Sequence, residues 1–152
     1  MEKIIVDAKN FNTVEGNLNG RFAPYMGLNQ MSYRQLVVKE NELLQKLSSI
    51  VLKAQLPETC TKRLQSEEKK QQIAETQKVL QKVVALMKNG FHVALIFGML
   101  KVTVGKSSGF DSDFENRFKP LYKDEACRED FWGTKEPVPF LIAISLLDSL
   151  MS

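Results

Sequence analysis

Residues 32–55 read SYRQLVVKENELLQKLSSIVLKAQ and carry the strongest periodic signal in the chain. Tyr33, Leu36, Glu40, Leu43, Leu47, Ile50 and Ala54 recur at alternating steps of three and four, and all but Glu40 are apolar or aromatic. That spacing keeps them on one side of an α-helix. Val37, Leu44 and Val51 widen the stripe beyond a two-position coiled-coil seam. A stripe of that width suits a helix packed in a bundle. Ser32 followed three residues later by Gln35 matches a capping box and predicts the start. Pro57 predicts the stop, because the residue before a proline is pushed out of the α region.

Downstream, residues 58–88 read as a second helical stretch closed by Asn89-Gly90. Ile73, Leu80, Val83, Val84 and Met87 fall within about 100° of one another on the helical wheel. The same azimuth carried backward meets Lys62, Lys69 and Lys70, with Arg63 at the margin. Residues 65–72, QSEEKKQQ, hold no apolar group. Either the helix breaks near Ser66 or its first half projects beyond the core. Together the two stretches predict a helical hairpin over residues 32–88.

A smaller helical module follows over residues 91–151. Phe91 to Val104 is dense enough in apolar residues to be buried on all sides. We read it as helix to about Lys101, although Val102-Thr103-Val104 favours a strand. GKSSGFD, residues 105–111, reads as a loop. Ser112 and Glu115 form a second capping box, opening a short helix that Pro120 is expected to interrupt. Leu121 to Trp132 reads as a further turn or helix closed by Gly133. Thr134 is expected to cap the last helix, with Pro137 and Pro139 in its first turn. From Phe140 to Met151 that helix is apolar nearly all round, which predicts central burial or an oligomer interface. Upstream, residues 1–31 read as an irregular arm. Ile4, Ile5 and Val6 favour a short strand, and a stretch rich in Asn and Gly carries Phe11, Leu18, Phe22, Tyr25 and Leu28 as apolar anchors. The expected fold is mainly α: one helical domain over 32–152, with an N-terminal arm. The last two stretches faintly resemble the end of an armadillo-type helical unit, without a specific motif. No family is recognised over a useful length.

The chain has 152 residues, 43% hydrophobic and 26% charged, a composition that excludes a collagen-like or wholly disordered polypeptide. The net charge of +3 is too small to imply nucleic acid by itself. Its distribution is uneven: residues 58–90 hold seven basic and four acidic groups, residues 91–152 seven and nine. The longest apolar run is Val93 to Phe97, or Phe91 to Leu100 with His92 and Gly98 tolerated, too short to cross a bilayer as a helix. The N-terminus, with charges at Glu2, Lys3 and Asp7, lacks the apolar stretch of a signal peptide. Cys60 and Cys127 are distant in sequence, so two reduced thiols are expected. The protein is expected to be intracellular, cytoplasmic or nuclear, with no membrane association.

Catalytic chemistry has few carriers. His92 is the single histidine, and a metal site needs further ligands at workable spacing. It reads as a hydrogen-bonded structural histidine. Asp111, Asp113 and Glu115 open like an EF-hand loop, but Asn116 and Tyr122 stand where glycine and glutamate are required. Asp124, Glu125, Glu129 and Asp130 read as a solvated acidic face. The loop around Lys106 lacks the glycine spacing of a phosphate loop. No catalytic, metal or cofactor residue is therefore assigned, and no cofactor is expected. The expected function is a non-catalytic interaction or assembly subunit with a protein partner or self-association. The interface residues assigned to it are Leu36, Leu43, Leu47, Ile50, Phe140, Ile144 and Leu147. The alternative is a nucleic-acid-binding accessory protein that contacts phosphates through Lys62, Arg63, Lys69 and Lys70.

Overall fold

The computed structural model describes residues 32–57, 66–105 and 112–151. Among these the regular structure is entirely helical. The helices are α1 (Tyr33–Lys53), α2 (Ser66–Lys88), α3 (Val93–Thr103), α4 (Ser112–Tyr122), α5 (Glu125–Trp132) and α6 (Pro137–Met151). The mainly α fold expected from the periodicity is the fold observed. The expected arm at 1–31, the loop at 106–111 and Cys60 lie outside the described residues.

The first helix opens as its sequence dictates. The Ser32 hydroxyl accepts from the Gln35 N–H at 3.3 Å, and the Gln35 side chain accepts from the Ser32 N–H at 2.9 Å. Two end donors that would otherwise lack partners are thereby satisfied. Its end differs from expectation. Ala54, not Pro57, terminates it, adopting a left-handed conformation with φ of 52° while its N–H bonds to the Ile50 and Val51 carbonyls. A side chain in that region costs roughly 1–2 kcal/mol. The tightened last turn absorbs this strain two residues before the position that proline forbids.

The second helix begins, within the described residues, at Ser66 and ends at Lys88. Gly90 takes φ of 94° in the turn that follows, and the Phe91 N–H bonds back to the Leu86 carbonyl. The next element is a helix through Thr103, so burial overrides the strand preference of its last residues. Pro120 does not interrupt α4, while the capping box read at Ser112 and Glu115 rests on side chains outside the described ones. The proline falls in the last turn, where Phe118 and Leu121 are 0% and 3% exposed and hold the segment in the core. The stretch after it divides at Asp124, whose carboxylate accepts from the Cys127 N–H and opens α5. Gly133 closes α5 with φ of 87°, and a Cβ there would sit 3.4 Å from the Lys78 Cβ. Thr134 is displaced from the cap position. Its hydroxyl accepts from the Glu136 N–H and shapes the lead-in to α6, which starts at Pro137.

The helix buried on every side is α3, not α6. Residues 91–100 are all buried, and α3 packs against α2, α4 and α6. The last helix lies on α1, α2 and α3 but leaves Leu141 (39% exposed), Ser145, Asp148 and Ser149 on an open side. Trp132 joins α5 to this centre. Its indole N–H donates to the Thr103 hydroxyl at 3.2 Å, and its ring meets Phe140 edge-on with centroids 5.7 Å apart. The Thr103 hydroxyl in turn donates to the Met99 carbonyl at 2.7 Å, so it serves as donor and acceptor at once. From α2, the Lys82 ammonium lies 4.3 Å above the neighbouring Phe131 ring.

Leu47 is 0% exposed at the centre of the α1 stripe, while Ile50 is only partly buried against the same core. Leu47→Ala is expected to lower stability by about 2–5 kcal/mol. Ile50→Ala should cost less. Chemical denaturation followed by circular dichroism measures both, and equal losses would contradict this packing.

Candidate interaction surface

Glu40, the polar member of the α1 stripe, faces a partner brought from far along the chain. Its carboxylate lies 3.0 Å from His92 Nδ1, and it also accepts from the Val93 N–H at 3.4 Å. Both side chains are largely withdrawn from water, at 14% and 9% exposure. Val93 is the first residue of α3, so the carboxylate also sits at the positive end of that helix. The sequence showed the two residues separately and named His92 as structural. The structure explains why a carboxylate belongs in an apolar stripe: it satisfies the entry to the buried helix.

The assigned interface residues are spent largely inside the chain. Leu36, Leu43, Leu47, Phe140 and Leu147 are 0–2% exposed and belong to one continuous core. They turn inward because α1 meets α2 and α6 on that face, so they present no surface to a partner in this fold. Ile50 and Ile144 are half-buried at the margin of the core. The large apolar side chains that face solvent are Val38, Leu52 and Leu141 among the described residues, at 57%, 87% and 39% exposure. Val38 and Leu52 lie on the outer side of α1, about 21 Å apart along its axis at 1.5 Å per residue. Asn41, Glu42, Gln45 and Ser49 separate them and are all exposed. The outer face is therefore polar in the middle. At its C-terminal end Leu52 is the most exposed of these side chains, while Ile50 lies about 160° away around the helix and packs on the core, as do Val51 and Leu56. That end is fixed to α2, since the Gln77 amide donates to the Ile50 carbonyl at 3.5 Å. Val38 and Leu52 fall outside the apolar stripe read from the periodicity, so the signal that could have found them was present in the sequence but was assigned no role.

The basic candidates are only partly placed. Lys70 is exposed on the first turns of α2, and Lys69 belongs to the same helix. Lys62 and Arg63 lie outside the described residues. The acidic residues Asp124, Glu125, Glu129 and Asp130 are exposed, as a solvated face requires. Among the described residues no group of His, Cys, Asp and Glu is arranged to hold a metal ion. No helix of the described residues is long and apolar enough to cross a membrane. The chain matches no protein-family model, no curated protein and no solved structure.

Two predictions follow from these contacts. Glu40→Ala strands the His92 ring nitrogen and the Val93 N–H, and should lower stability by about 1–3 kcal/mol. Glu40→Gln, which keeps an acceptor, should recover part of the loss in the same denaturation experiment. At the start of α5, the Cys127 N–H bond holds the Asp124 carboxyl below its ordinary value. The Asp124 carboxylate, through its side-chain hydrogen bond, and then burial push the Cys127 thiol up. A depressed carboxyl contributes stability above its unfolded value and loses it as pH falls through the folded one. The Asp124 carboxyl resonance should therefore titrate below the usual aspartate range. Asp124→Asn, which preserves the cap, should accelerate alkylation of Cys127 at mildly alkaline pH. An unchanged alkylation rate would contradict the coupling.

Proposed function

We propose that the protein is a non-catalytic helical interaction or assembly subunit, and that the C-terminal end of α1 is the surface through which it acts. The observation that carries this reading is Leu52, 87% exposed on a helix whose other face is committed to the core. A large apolar side chain held in solvent by a capped, anchored helix end costs hydration that a partner surface would recover. Single exposed apolar residues are common on protein surfaces. Leu52 differs in being the most exposed of the large apolar side chains among the described residues, at a helix end fixed by the left-handed Ala54 cap. The single histidine is engaged with Glu40 in the fold, which leaves the non-catalytic reading the simpler one.

Leu52→Ser is expected to change stability by less than about 0.5 kcal/mol, as an exposed site should. It should at the same time reduce self-association in sedimentation, or reduce recovery of co-purifying protein in affinity capture. Loss of stability with no effect on association would overturn the proposal.

The basic stretch supplies a direct contrast. Replacing Lys62, Arg63, Lys69 and Lys70 together by glutamine should leave generic DNA and RNA binding weak and unaltered. Tight parent binding at physiological salt would favour the nucleic-acid reading instead, if the slope of log affinity against log salt then fell in the variant by roughly 0.9 per lost phosphate contact.

A further inference from the structure

We draw no further inference here: the strongest candidate, the Glu40–His92 pair buried where α1 meets the start of α3, is the core joint already described, and among the described residues nothing shows an opening or a second state through which it would act.

Discussion

Residues 91–100 are buried without interruption, and the surrounding architecture answers to that fact. A helix with no polar face must be enclosed, and its backbone ends must find partners without relying on water. Enclosure comes from α2, α4 and α6, which all pack on α3. Its start is satisfied from outside by the Glu40 carboxylate, delivered by α1. Near its end, the Thr103 hydroxyl returns a bond to the Met99 carbonyl and receives one from Trp132. The long α1 and the short α5 are thus tied to the same buried rod at its opposite ends.

This division of labour limits where function can reside. A small domain that encloses an apolar helix uses up its best hydrophobic residues in doing so. The leucines of the α1 stripe illustrate the point: in sequence they look like a contact surface, and in the fold they are wall. Among the described residues what remains outward is mostly polar, and the most exposed large apolar side chain, Leu52, stands where α1 terminates. That end is also where Ala54 adopts its left-handed conformation, so Leu52 is held close to a fixed change of chain direction.

The elements most legible in the sequence were those governed by local chemistry. The Ser32–Gln35 box, the Asn89-Gly90 stop and the Gly133 cap each act within one helical turn, and each is found as read. Readings failed where long-range packing outweighed a local preference. Thr103 stays helical because its hydroxyl is used by a tryptophan 29 positions away. Pro120 stays within a helix because buried neighbours hold the turn around it. The surface was the least legible part. Whether a residue of an apolar stripe points into a core or out of it depends on the azimuth of the neighbouring helices, which no single stretch encodes. Leu52 lay off the stripe that holds Leu47, yet nothing local showed whether that stripe would be core or contact surface.

Trp132 is the only tryptophan in the chain, and its surroundings make it a local optical probe. Its indole N–H is bonded to Thr103, and its ring lies edge-on to Phe131 and Phe140, with centroids 5.0 and 5.7 Å away. Emission from this one site reports the docking of α5 on α3 and α6, whereas far-ultraviolet ellipticity sums over all the helices. Coincidence of the two signals during unfolding would mean that the α1–α2 pair and the C-terminal helices melt as one cooperative unit. An earlier fluorescence change would mean that the seam between α5 and the buried rod opens first.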